Sequence, residues 1–494
     1  MKTFTRYTLV FATALSLTGC DEFLGDNIDP NKSGLEELAP RDLMPTSIYY
    51  TSSAHYSIAL GMCQYSQQLA TYFQQNTDAQ EETQLAGGWS NIYLQALPDI
   101  QTMLELAESQ NLTGYQGIAK VLQATNLGLA TDNWGDVPAS QATLGEGDFS
   151  PAFDAQEAVY EQINSLLDEA IVLLGQSDSS VGSHDLIYNG DLSKWLKTAY
   201  FLKAKYSLHL TEVDQASAVS GALSAISSSF TSNEDDYELE YNTRNFNPWY
   251  AGVVLPNNTG NFSVLLNDQL ISAMDGTQFP FATIDEDPRI PLISSIGEND
   301  DDFLGAISGT GGAYQVDPRI SATADLAADD FYSAQTAPII LGSYSELKFI
   351  EAEARFLQNG GTPTSTGSTT AAYNAYLAGI AANMDKVGVS AADKAAYLAD
   401  ASVAVGASNL TLALIMREKF IATFLNPESF VDLRRYDFST AVFPGLSLPV
   451  DQNPDIAGRW VRRAQYPSSE QTRNGDEVAR VMQTIDTGVW WDRD

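Results

Sequence analysis

Apolar residues return along this chain every three or four positions, the spacing that keeps side chains on one face of an α-helix. Ile92, Ala96, Ile100, Met103 and Ala107 form one stripe. Tyr115, Ile118, Leu122, Thr125 and Leu129 form a second. Val159, Ile163, Leu166, Leu167, Ala170, Ile171 and Leu174 form a third, and Asp154 precedes Glu157 there at capping-box spacing. Leu192, Trp195, Leu196, Ala199, Tyr206 and Leu210 follow. Ser343-Tyr344-Ser345-Glu346 repeats the capping pattern ahead of Leu347, Ile350, Ala354 and Leu357, and Leu412, Ile415, Met416, Phe420 and Phe424 close the set. Such stripes must bury against each other, so the chain is expected to be mainly α, with antiparallel helix pairs as in helical repeats. No clean period of about 34 residues is visible, so paired helices follow from the pattern and a strict repeat does not.

One distinctive segment precedes this helical series and another interrupts it. Lys2 and Arg6 precede a short apolar run from Thr8 to Leu17, too short to span a bilayer, and then Leu17-Thr18-Gly19-Cys20. This resembles a lipoprotein signal: residues 1–19 are expected to be removed and Cys20 to carry lipid. Asp21, Glu22 and Asp26 resemble the surface-export signal of Bacteroidetes lipoproteins, and 20–40 read as an acidic tether ahead of a domain at 41–494. The remaining cysteine, Cys63, then has no partner for a disulfide and reads as an inert core thiol. Between about 230 and 340 the helical period fades and Asn, Asp, Gly, Pro and Ser accumulate. Phe246, Trp249, Tyr250, Phe279, Phe281, Phe303, Tyr314, Phe331 and Tyr332 lie there, and that aromatic density argues for an ordered, functional segment.

The net charge of −37 repels phosphate backbones and anionic lipid, so no nucleic-acid partner is expected and the membrane would be met only through the N-terminal lipid. His55, His184 and His209 have no paired metal spacing, and no nucleophile elbow, P-loop or C-x-x-C is present. Asp132-Asn133-Trp134-Gly135-Asp136 is the most enzyme-like cluster, since a buried acid beside Trp has a raised pKa, but it also reads as a helix turning out at Gly135. Glu298-Asn299-Asp300-Asp301-Asp302 and Asn233-Glu234-Asp235-Asp236 could hold structural calcium, though neither has an EF-hand register and both also read as solvated loops. No cofactor is otherwise expected.

Several segments together resemble the SusD/RagB family of Bacteroidetes lipoproteins. They are the Cys20 signal with Asn27-Ile28-Asp29-Pro30-Asn31, Leu129 through Pro138, Asp191-Leu192-Ser193-Lys194-Trp195, Asp287-Pro288-Arg289-Ile290, Glu351-Ala352-Glu353-Ala354, Phe430-Val431-Asp432-Leu433-Arg434-Arg435, Tyr466-Pro467-Ser468-Ser469-Glu470 and Trp490-Trp491-Asp492. The resemblance implies a tetratricopeptide-like helix-pair superhelix whose irregular segments carry the ligand site. It also implies a lid on a SusC-like TonB-dependent transporter at the outer-membrane surface, capturing oligosaccharide or polysaccharide without cutting it. A peptide receptor of the same family, a surface glycoside hydrolase and a purely structural subunit are the alternatives.

The family's motifs transfer no ligand contacts, so candidates come from aromatics beside polar or turn residues, because the C–H face of a sugar packs on a ring. Trp249 and Tyr250 follow Asn247-Pro248, Trp89 follows Gly87-Gly88, Tyr72 and Phe73 adjoin Gln74-Gln75-Asn76, and Tyr314 adjoins Gly311-Gly312.

Overall fold

The computed structural model describes residues 38–71, 77–143, 150–261, 263–296, 302–311 and 323–493. The signal segment, Cys20, most of the tether, Tyr72, Phe73, Tyr314 and 298–301 of one acidic run lie outside them.

The helical unit starts at Pro40. Helix α1 spans Pro40–Tyr65 and is followed by α2 (Ala86–Ser90), a π-helical turn (Asn91–Ala96) and α3 (Leu97–Ser109). Then come α4 (Thr113–Trp134), α5 (Gln156–Leu174), α6 (Leu192–His209) and α7 (Thr211–Ile226). After the irregular segment, which holds the short α8 (Asp268–Met274), the chain forms α9 (Tyr344–Gln358), α10 (Thr370–Val387), α11 (Ala391–Ala399), α12 (Leu412–Ala422) and α13 (Glu428–Arg435). α1 packs on α3, α4 on α5, α6 on α7 and α9 on α10; α3 then meets α4, α5 meets α6 and α7 meets α9. Four antiparallel pairs thus stack in order, a tetratricopeptide-like arrangement in which each pair buries its stripe against the next. β1 (Leu69–Thr71) pairs antiparallel with β3 (Val264–Leu266), and β2 (Tyr237–Leu239) with β4 (Ile339–Gly342), stapling the irregular segment to the helical frame.

The helix starts follow the sequence in one case and depart from it in another. Ser343 Oγ accepts from the Glu346 backbone N–H at 3.1 Å, as the capping pattern requires. Asp154 does not cap α5. Its carboxylate accepts from the backbone N–H groups of Ala139 (3.0 Å) and Ser140 (2.8 Å), while the Gln156 N–H at the helix start donates to Asp136 at 2.9 Å. Asp154 lies in the Val137–Asp154 bridge, so its nearest open donors belong to the facing turn.

Charged residues from the family-like segments meet in the interior. Lys419 lies 2.8 Å from Asp432 and 3.5 Å from Glu428; Arg435 pairs with Asp432 at 2.8 Å and with Glu353. Lys205 bridges Glu428 (2.9 Å) and Glu346 (3.2 Å). His209 bonds Glu428 at 3.1 Å, and the Tyr160 hydroxyl, which donates to Asp132, lies 3.0 Å from His209 Nδ1. Trp491 donates its indole N–H to Asp132 at 3.2 Å. Burial alone disfavours the His209 imidazolium, but the carboxylates of Glu428 and Asp132 outweigh it and raise its pKa above the ordinary value. A second knot joins Arg289 to Asp287, to Glu418 at 2.7 Å and to Asn383 at 2.9 Å. These charges come from α4, α6, α9, α12, α13 and the irregular segment, so most of the bonds also fix one element against another. Removing one partner from such a knot strands a buried charge and costs about 3–5 kcal/mol.

Candidate functional site: an aromatic surface on the first helix

α1 keeps one narrow stripe at the surface. Tyr49 is 41% exposed, and Ser53, Tyr56 and Ser57 are half-buried. The π-helical turn and α3 run antiparallel along one side: Asn91 Nδ2 donates to Ser57 Oγ at 3.2 Å and Thr46 Oγ1 to Asp99 at 2.7 Å. That register sets the exposed Leu94 beside the middle of the stripe.

The irregular segment forms the other side. Tyr241 and Ser52 share a hydrogen bond at 3.0 Å. Asn247, fully buried, acts as a clamp. Its Oδ1 accepts from the N–H groups of Trp249 (2.7 Å) and Tyr250 (3.2 Å), and its Nδ2 donates to the Ala337 carbonyl at 2.9 Å. Asn247 thereby starts a helical turn, with Pro248 following, and docks it on the strand that leads into β4. Trp249 is turned inward, 4.9 Å from Tyr56 and nearly perpendicular to it. A π-helical turn follows at Tyr250–Val254, and at Gly252 a side chain would collide with the Tyr56 hydroxyl, so glycine permits this close approach. Tyr250 stays half-buried and meets Phe246, 38% exposed, edge to face at 5.6 Å. Tyr49 meets Tyr50 at 5.3 Å in the same geometry. The α1 stripe of Tyr49, Ser53, Tyr56 and Ser57 thus meets, through the Tyr56–Trp249 contact, the turn that carries Phe246 and Tyr250. Burial pushes the phenols of Tyr56 and Tyr241 up to about 12, so both remain hydroxyls that donate and accept.

Of the sequence candidates, Tyr250 lies on this surface. Trp249 is buried and serves as its brace. Trp89 is also buried, within 4.4 Å of Tyr93 and 5.1 Å of Trp134, with Phe153 and Tyr466 completing the cluster. The expectation of exposure fails for both tryptophans: a large ring beside turn residues has more apolar area to gain from packing under the turn than from standing in water. Tyr49 and Phe246 were missed as candidates. A signal existed for Tyr49, since Tyr49, Ser53 and Tyr56 share one helix face with a polar residue between two rings.

The other suspected chemistry takes structural roles. Asp132 is held inside the ionic network, and the chain turns at Gly135 with φ 84°. Asp235 is bound by Lys197 at 2.8 Å, and Asp236 by Lys386 at 3.0 Å. Asp236 borders an open polar groove of about 650 Å³ with Asp185, Glu238 and Lys194. Among the described residues no cluster of His, Cys, Asp or Glu could hold a metal ion. Cys63 is buried, its Sγ 3.8 Å from the Asn426 carbonyl, and burial raises its pKa, as an inert thiol requires. No helix among the described residues is long and apolar enough to cross a membrane.

Comparison with solved structures places this fold among SusD homologues. A SusD/RagB family protein of Bacteroides thetaiotaomicron superposes with a TM-score of 0.72 at 23% identity, covering 92% of this chain and 99% of its own. A chitin-binding protein gives 0.76 at 21%, over 92% and 100%. A chitin-binding SusD homologue of Flavobacterium johnsoniae gives 0.70 at 19%, over 92% and 99%. No curated protein matches the chain significantly. The family described as starch-binding and associating with the outer membrane matches residues 35–467, and the chain therefore belongs to the SusD-like family.

Proposed function

We propose that the protein is a glycan-binding lipoprotein of the cell surface, which captures oligosaccharide on the Tyr49–Phe246–Tyr250 surface and delivers it to a SusC-like TonB-dependent transporter. The observation that carries this reading is the pair of Phe246 and Tyr250 standing at the surface above the buried Asn247 clamp. A sugar ring buries its C–H face on such a plate, and Ser53 and the tyrosine hydroxyls reach its own hydroxyls. Family membership and the chitin-binding proteins of the same fold support the ligand class. The lipid on Cys20 supplies the anchor, and the transporter supplies passage through the membrane.

The protein acts by binding alone. Its most enzyme-like carboxylate, Asp132, already accepts from Tyr160 and Trp491 in the interior, away from any polymer. Shallow ring contacts give micromolar or weaker affinity, roughly −8 kcal/mol or less in magnitude. Affinity electrophoresis in starch and in soluble chitin derivatives tests the reading. Retardation that Phe246→Ala and Tyr250→Ala relieve, with no new reducing ends, supports it. Cleavage of either polymer, or retardation by peptides and by no glycan, refutes it.

A further inference from the structure

Away from the residues above, α5, the end of α6 and the start of α7 enclose a cleft of about 370 Å³. It arises where the helical backbone of α7 is interrupted: Asp214 has extended backbone angles, φ −152° and ψ 93°. The helix restarts there, with Asp214 accepting from Ser217 N–H at 3.1 Å and Ser217 Oγ at 2.7 Å. The interruption leaves Leu210, Val213 and Ala218 lining the opening, with Trp490 from the C-terminal segment and Tyr160 from α5. Trp490 is held in place. Its ring lies 6.2 Å from that of Tyr160 and beneath the Arg493 guanidinium at 5.7 Å, and the Arg493 backbone N–H donates to Glu212 at 2.8 Å.

The polar lining is Glu157, Glu161, Asn164, Ser207, Asp214 and Ser217, and Arg493 is a cation that packs on the Trp490 ring. Among the described residues, the side chains of Glu157, Glu161 and Asn164 and the indole N–H of Trp490 make no hydrogen bond or ion pair. The cleft therefore combines an aromatic plate with free acceptors, a free amide and a free indole donor. That combination suits a ligand with one apolar face and a rim of hydroxyls, each both donor and acceptor. The carboxylates repel anions.

We infer that this cleft is a second binding site, taking a neutral saccharide unit stacked on Trp490. The inference rests on the glycan-binding reading above and extends it: two separated sites would let one protein hold a long chain at two points, raising avidity without any new contact.

The test uses the full chain with 5-fluorotryptophan incorporated, titrated with maltoheptaose and with chitohexaose while the fluorine spectrum is followed. The Trp490 resonance is assigned from Trp490→Phe. Calorimetry counts the sites on the wild type, on Asn164→Trp, which fills the cleft from an exposed helix position, and on Phe246→Ala/Tyr250→Ala. The expected result is a shift of the Trp490 resonance by at least one oligosaccharide, abolished in Asn164→Trp and kept in the double variant, with each variant losing one equivalent. An unmoved Trp490 resonance, with stoichiometry unchanged in Asn164→Trp, overturns the second site and leaves the first intact. Displacement of the sugar from the cleft by a lysine-rich peptide that binds there more tightly also overturns it, since the cleft would then be a cation site. Binding of neither oligosaccharide overturns both readings.

Discussion

In the ionic network, Arg435, Lys419 and Glu428 each touch two or more opposite charges and none is more than 2% exposed. On the aromatic surface, Tyr49, Phe246 and Tyr250 make edge-to-face pairs beneath water and carry no charged partner. The network contains the residues with the strongest sequence pattern; the surface contains residues with almost none. A buried charge tolerates little change, because it must keep its number, sign and reach of partners. A sugar plate needs only a ring of about the right size at the right place, which many sequences supply. Pattern strength along this chain therefore marks the frame, and the proposed site lies where the pattern fades.

Four substitutions would break or sharpen that contrast. Arg435→Met leaves Glu353 and Asp432 short of a cation and should lower unfolding stability by about 3–5 kcal/mol in urea titration. A loss under about 1 kcal/mol would erase the distinction between frame and site.

The next effect is a pH dependence. His55 is buried; burial, helped by nearby Lys205 and only partly offset by the Asn426 side chain, lowers its pKa to about 3. The unfolded chain binds this proton near pH 6.5 and the folded chain does not, so stability falls as pH drops from about 6.5 toward 3. Relative to His55→Gln, the wild type should lose about 2 kcal/mol between pH 7 and pH 5 in paired urea titrations. His209 carries the opposite sign: its raised pKa stabilises fully below about 6.5, and that contribution is lost as pH rises through the folded value. A gap between wild type and His55→Gln that does not change with pH would contradict the buried placement of His55.

Asn247→Ala removes the clamp and should cost about 1–2 kcal/mol while also weakening oligosaccharide binding, because Trp249 and Tyr250 lose their common anchor. It is the one change expected to move both properties, measured by melting and by calorimetry on the same preparation. Tyr250→Ala should leave melting nearly unchanged and weaken binding by about 0.5–1.5 kcal/mol, roughly two- to tenfold in Kd.

The striped helices were legible because one face of each is polar. α5 is the plainest case, with Val159, Ile163, Leu167, Ala170 and Leu174 buried and Glu157, Glu161 and Asp168 outside. α1 is periodic only around Cys63, and α7 and α10 show no stripe. α1 buries Ser47, Thr51, Ser52 and His55 among its apolar residues, so its period is blurred; α7 and α10 are rich in Ala, Ser and Gly, whose small side chains pack closely without a strong hydrophobic signal. The irregular character of 230–340 is readable, and Trp249 and Tyr250 beside Asn247-Pro248 stand out as candidates. Which of these two rings faces water is not readable, because that depends on Tyr56, nearly two hundred positions earlier in the chain. Asp154 shows the same limit at short range: its spacing to Glu157 matched a cap, but the Val137 bridge brought other donors closer.

The central claim is that the exposed rings, and not the patterned acidic residues, meet the ligand. Calorimetric titration of maltoheptaose and chitohexaose into the wild type and into Tyr49→Ala/Phe246→Ala/Tyr250→Ala tests it most directly, with circular dichroism and melting recorded on both. The account predicts an unchanged helical spectrum, a melting temperature within a few degrees, and loss of the binding equivalent assigned to this surface. A triple variant that stays folded and binds every equivalent with unchanged affinity would contradict it.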